Sequence, residues 1–152
     1  MTLPPPAPGP LQIQSLFPLA LGHVQLLPDP LVLAEQLQAL HELRGEAGGN
    51  PDPACAWTGD LNGVWQLHRH PVFVPLIAEL TGHVWEYLAR LGFDRHSLAL
   101  HLQRCWPVLS EPGQVVGRHH HPNAHLRAIY YLSGDGRGAC GCLRLWPPAP
   151  GQ

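Results

Sequence analysis

Four of the chain's eleven histidines fall between His119 and His125. Three of them, His119, His120 and His121, run consecutively into Pro122-Asn123-Ala124. An apolar stretch, Leu126-Arg127-Ala128-Ile129-Tyr130-Tyr131-Leu132, follows. Neutral imidazole is the commonest protein ligand for first-row metals. Side chains at i and i+2 on a strand or its edge point to one side. That spacing makes His119 and His121 a candidate metal pair and turns His120 away from it. The competing reading is a solvated, histidine-rich loop.

The rest of the chain supplies the elements that would position such a pair. Its 152 residues suffice for one domain with a sizeable core. Nine arginines, no lysine and eleven acids give a net charge of -2 with no block of one sign. Nucleic acid and acidic membrane surfaces are therefore not expected partners. Prolines gather near both ends, and residues 1–15 read as a disordered proline-rich tail ahead of a domain over 16–152. No apolar run approaches the roughly 20 residues that span a bilayer, and the N-terminus lacks a signal-peptide pattern. The four cysteines do not space as a disulfide framework, so a reducing cytoplasm is the expected compartment.

Leu16 to Leu27 is apolar with Pro18 and Gly22 inside, which predicts strand, turn, strand. Asp29 caps a helix beginning at Pro30. Leu33, Ala34, Leu37 and Leu40 form its stripe, and Gly45 is the expected stop. Glu46 to Asn62 reads as a polar loop carrying Trp57. A second helix runs from Pro71 or Pro75 to Leu91, burying Phe73, Leu76, Ile77, Leu80, Val84 and Leu88, and Gly92 closes it. From Ser97 the apolar period drops to two. Strands are expected over residues 98–108, 126–132 and 140–146, with turns at Glu111-Pro112-Gly113 and 133–138. Helices first and strands last make an α+β order.

From Trp106 onward the order is Trp, a Gly113 turn, His119-x-His121-Pro122, a strand with Tyr130-Tyr131-Leu132, a glycine-rich turn, then Gly141, Leu143, Leu145 and Pro148. This resembles the iron(II)/2-oxoglutarate-dependent oxygenase family of bacteria and phages. Weaker matches precede it at Leu16-Phe17-Pro18, residues 62–67, His70-Pro71 and Leu91-Gly92. The resemblance implies a double-stranded β-helix, a cupin-like jelly roll of about eight strands, with the N-terminal helices packed on it. It implies Fe(II) held by His119 and His121, 2-oxoglutarate and O₂ as co-reactants, and hydroxylation of a small-molecule or peptide substrate. Tyr130 and Tyr131 alternate faces, so one can meet a 2-oxoglutarate carboxylate; the other reading is a core aromatic with its hydroxyl satisfied.

The chain departs from the pattern at Arg127-Ala128, where the family has Ser-Gly, and at Pro147, where it has Asp. The resemblance also implies a distal histidine and an arginine for the far carboxylate of 2-oxoglutarate. Past His121 the only histidine is His125, and Arg137 and Arg144 match no family position. Roughly three or four strands are legible, so the chain is expected to be a C-terminally truncated oxygenase, inactive alone and prone to oligomerise through unpaired edges. Glu111 and Asp135, the acids after Asp94, are expected to be solvated in turns. Trp106 is expected in the core, and His68-Arg69-His70 at the surface of a helix start. Two alternatives stay open: a non-catalytic cupin-like metal-binding or interaction module, and a small zinc protein using Cys140, Cys142 and the histidines.

Overall fold

Asp29 and Pro30 begin the first helix for the reasons their chemistry dictates. In the computed structural model, which describes residues 10–16, 19–50, 52–134 and 142–146, α1 spans Pro30–Ala47. The Asp29 carboxylate accepts from the Leu31 amide at 2.7 Å, satisfying one of the orphan donors of the first turn. The helix passes through Gly45 and ends at Gly48, whose φ of +82° lies where L side chains are disfavoured. Its most buried residues are Gln36, Ala39 and Leu40. The inward face is thus rotated from the predicted stripe: Leu40 is on it, Leu33 and Leu37 are half-buried and Ala34 is exposed.

α2 spans Val74–Arg90, entered through a 3-10 turn at Pro71–Phe73, and Gly92 (φ +87°) follows it. Of the predicted apolar face, Phe73 and Leu88 are buried and Leu76, Ile77, Leu80 and Val84 are half-buried. Phe73 packs with Ala39, Leu40 and Leu67, flanked by Leu43, Val72, Leu76, Ile77, Cys105, Leu109 and Leu132. The core therefore lies where α1, α2 and the later chain meet.

The strand-turn-strand expected over residues 16–27 lies earlier in the chain, as an antiparallel hairpin of β1 (Gln12–Leu16) with β2 (Leu19–His23), registered Gln12 to His23 and Leu16 to Leu19, and residues 24–27 form no strand. Phe17 and Pro18 lie outside the described residues. The strand begins at Gln12, inside the stretch expected to be a proline-rich tail; residues 1–9 are also outside the description. The hairpin is fastened to α2 by Tyr87, whose hydroxyl donates to the Ala20 carbonyl at 2.8 Å, and by Arg90 Nη1, which donates to the Leu11 carbonyl at 2.8 Å.

The stretch expected to be a mere polar loop is the partner of the later chain. β3 (Trp57–Thr58) pairs antiparallel with β4 (Val108–Leu109), Trp57 opposite Leu109. Single bridges join Cys55 to Val115 and Gln66 to Cys105. The Gly59 amide donates to the Pro107 carbonyl at 2.9 Å and Leu67 to Cys105 at 2.9 Å; Cys105 returns a bond to Trp65 at 3.0 Å. Trp57, buried at this seam, donates its indole N–H to the Gly48 carbonyl at 2.9 Å.

The architecture is mixed helix with two small antiparallel sheets, and the described residues close no barrel. Of the strand predicted over 98–108, only Val108 belongs to one. Residues 126–132 have no strand structure, and neither do the described residues 142–146. Alternating apolarity marks a surface fit for a sheet, but a strand exists only when a neighbour completes its hydrogen-bond ladder. Among the described residues nothing forms a ladder with residues 98–104, 126–132 or 142–146. Accordingly Leu102, Leu126, Ile129 and Tyr131 are exposed. Among the described residues no helix is long and apolar enough to cross a membrane.

Gly59 should not tolerate a side chain. A Cβ there would collide with the Val64 carbonyl oxygen and stand 2.7 Å from Pro107 Cδ, both parts of the seam. Gly59→Ala is expected to lower stability by about 2 kcal/mol, read as a lower urea midpoint. Gly82→Ala, where a Cβ meets open space, should not lower it, since alanine suits a helix better than glycine.

Candidate metal centre

The seam delivers the histidines to one corner. After Val115 bonds back to Ala54 at 3.1 Å, the chain leaves the ladder and turns at His121-Pro122-Asn123-Ala124. There the Ala124 amide donates to the His121 carbonyl at 3.2 Å. Proline suits the second position of such a turn because its φ is already set. The pair is consequently held by a loop and a turn, and the strand expected to carry it is not formed. It is nonetheless a pair. The His119 and His121 rings stand 4.8 Å apart, edge to face at 85°. His120, between them, is exposed, as is His125.

The two imidazoles differ in environment. His119 Nδ1 lies 2.8 Å from the Gly117 carbonyl oxygen, and its Nε2 lies 3.2 Å from Arg127 Nη2. A carbonyl can only accept and a guanidinium can only donate. The contacts therefore demand a neutral ring with its proton on Nδ1 and a lone pair on Nε2. A ring nitrogen fixed to a backbone carbonyl is the usual way proteins set the tautomer of a metal-ligating histidine.

His121 is half-buried, its ring 5.5 Å from the Trp106 ring. Its Nε2 is buried without a hydrogen-bond partner. Such an atom is costly unless something satisfies it. Burial pushes the His121 pKa below the ordinary imidazole value, and the Arg127 charge pushes the same way. Asp60, on the 3-10 turn Gly59–Asn62, opposes them. Asp60 Oδ1 itself stands 3.0 Å from Arg104 Nη1, but without the alignment of a hydrogen bond. The Arg104 guanidinium also sits 5.3 Å over the Trp65 ring.

The tyrosines are placed elsewhere. Tyr130 and Tyr131 line an open cavity of about 400 Å³ with Leu26, Leu33 and Leu132; no histidine lines it. Tyr130 also reaches a neighbouring cavity of about 250 Å³ beside Gln36 and Glu79. Burial, and then the Glu79 carboxylate, raise the Tyr130 phenol above its usual pKa. Tyr131 is exposed.

Among the acids considered from sequence, Glu111 accepts from Arg44 of α1 at 2.7 Å and so ties that helix to the loop after β4. Asp135 and Cys140 lie outside the described residues. Cys142 is exposed. Cys105 borders the core, where burial pushes its thiol pKa up and a His68 backbone hydrogen bond pulls it down. His68 and His70 are half-buried with buried, unpartnered Nδ1 atoms, so they are not simple surface groups. Among the described residues no group of three or more His, Cys, Asp or Glu is placed to hold a metal ion. Sequence reading missed Asp60, because a Thr-Gly-Asp in a predicted loop carries no spacing signal. It noted Arg127 only as a departure from the family pattern.

Residues 104–149 match the model of a family described as "Putative 2OG-Fe(II) oxygenase". The match supports that family for this part of the chain. It contains Trp106, both candidate ligands, Arg127 and both tyrosines, and it covers less than half of the 152 residues. No curated protein and no solved structure matches the chain. At the level of the family the match supports an oxygenase-like function, with Fe(II) and 2-oxoglutarate as its general cofactors.

Two ring nitrogens are placed to meet a metal. His121 Nε2 is an orphaned lone pair or proton at a buried position, and His119 Nε2 is a lone pair by tautomer. Two nearby imidazole nitrogens of this kind fit a first-row divalent ion.

The depressed pKa of His121 has a sign that can be checked. A folded-state value below the unfolded one means the unfolded chain binds more protons between the two. Stability should therefore fall as pH drops from about 6.5 through the lower folded value. In a metal-free NMR titration His121 should protonate below that reference. Midpoint urea concentration should fall over the same range, and His121→Ala should flatten that fall.

Proposed function

We propose that this chain is an iron(II)/2-oxoglutarate-dependent oxygenase domain in which His119 and His121 are two ligands of the metal. The carrying observation is the imidazole pair itself, 4.8 Å apart with one buried orphan nitrogen, inside the segment that matches the oxygenase family. In this reading the segment belongs to a double-stranded β-helix, with the N-terminal helices packed against it. Bound iron(II) supplies the redox chemistry by which O₂ decarboxylates 2-oxoglutarate oxidatively and a substrate is hydroxylated.

The chain's own residues do the positioning. Gly117 fixes the His119 tautomer through its carbonyl, and Trp106 covers one side of His121. The low pKa of His121 keeps its ring neutral, as a ligand must be. One of Tyr130 and Tyr131, which line a cavity apart from the histidines, enters in this reading as the phenol that meets a cosubstrate carboxylate once the β-helix is formed. The partners are O₂ and a small-molecule or peptide substrate, with neither nucleic acid nor membrane. A reducing cytoplasm suits both ferrous iron and the free thiols. The exposed apolar side chains of residues 126–131 favour self-association into a homo-oligomer.

Anaerobic titration of the purified chain with iron(II) tests the ligand assignment. His119→Ala or His121→Ala is expected to weaken binding at least tenfold, and His120→Ala far less. Equal losses from all three would assign the binding to a histidine-rich loop. Succinate formation from 2-oxoglutarate on admitting O₂, measured for this chain and for a version lengthened to supply a distal histidine and arginine, separates the oxygenase, in which the lengthened version forms succinate, from a non-catalytic metal-binding module, which binds iron and forms none above a metal-free control.

A further inference from the structure

Arg127 contacts the nitrogen that His119 would offer to a metal. Its Nη2 is 3.2 Å from His119 Nε2, the atom that the Gly117 contact leaves as the ring's free lone pair. Nδ1 is 2.8 Å from the Gly117 carbonyl oxygen, so the ring has no second lone pair to offer a cation without losing that bond. A lone pair can serve one guanidinium proton or one metal ion.

We propose that Arg127 is an internal competitor for the metal: it occupies the lone pair of His119 in the metal-free chain and must swing away before His119 and His121 could hold an ion. This rests on the metal-ligand reading above. Two effects act in the same direction. Binding the ion breaks a charge-assisted hydrogen bond, and it brings a divalent cation close to a fixed positive charge. Both side chains are exposed, so Arg127 has solvent to move into and the contact sets affinity without blocking binding outright. The fold does not rely on this contact, because neither partner belongs to the buried core.

Cobalt(II) binding to the full 152-residue chain, followed by isothermal titration calorimetry, tests the proposal with no catalytic readout. Arg127→Ser should tighten cobalt(II) binding about tenfold. Arg127→Lys keeps the charge but loses the planar donor fork, and it should fall between wild type and Arg127→Ser or equal the latter. An unchanged or weaker affinity for Arg127→Ser overturns the proposal. ¹⁵N NMR of the metal-free protein gives an independent reading. Wild-type His119 should show the Nδ1–H tautomer, and its Nε2 resonance should move in Arg127→Ser. An unmoved resonance also overturns the contact. Failure of the competitor idea alone leaves wild type and the Ser variant binding cobalt(II) equally well. If neither binds, the metal-ligand reading falls with it.

Discussion

Everything at the candidate centre depends on one seam of backbone hydrogen bonds, that between residues 54–67 and 105–115. Neither side is a long strand. Two residue pairs form the ladder, two single bridges extend it, and Gly59, Trp65 and Leu67 exchange bonds with Pro107 and Cys105. Buried amides and carbonyls must be paired somewhere, and here each segment is the other's partner. The seam fixes where Trp106 lies, and it releases the chain at Val115, a few residues before the histidines. It also puts Asp60 and Arg104, distant in sequence, on the same side as His121.

The seam is anchored from both flanks. Trp57 closes it against the end of α1 through the Gly48 carbonyl, and Leu67 and Cys105 pass into the cluster built on Phe73. Glu111 and Arg44 bind the loop after β4 to α1 from outside. That exposed pair contributes little by itself. The apolar contact of Phe73 with Ala39, Leu40 and Leu67 is the larger effect, because burying an aromatic ring contributes about 1.5–3 kcal/mol. The helices thus make the platform, and the seam places the histidine segment on it.

The histidine pair shows how a site can be half prepared by local structure. Gly117 sets the His119 tautomer from two residues away, and Pro122 sets the turn that aims His121. These are short-range effects, available to any chain with this sequence. The burial of His121 Nε2 is different, because it needs Trp106 brought up from the seam. The contact from Arg127 needs the chain to double back after the turn.

Local chemistry was therefore legible in the sequence wherever it acts over a few residues. The Asp29-Pro30 start of α1, the glycine stop of α2 and the apolar face from Phe73 to Leu88 follow from side-chain type and spacing, whereas the first hairpin lies earlier than expected and His119 and His121 meet across a loop and a turn. The end of α1 was misjudged because Gly45, permissive in a helix, looks the same in sequence as Gly48, whose positive φ ends it. What tertiary structure alone decided was partnership. Alternation over 98–108 and 126–132 marks residues that suit a strand but names no neighbour, and a ladder needs two sides. Residues 54–67 carry no alternation at all, and yet they are a strand partner, because their amides and carbonyls meet those of 105–115. The company of His121, with Trp106, Asp60 and Arg127 around it, was likewise set by folding, since ring contacts and charge act through space and leave no spacing in the chain.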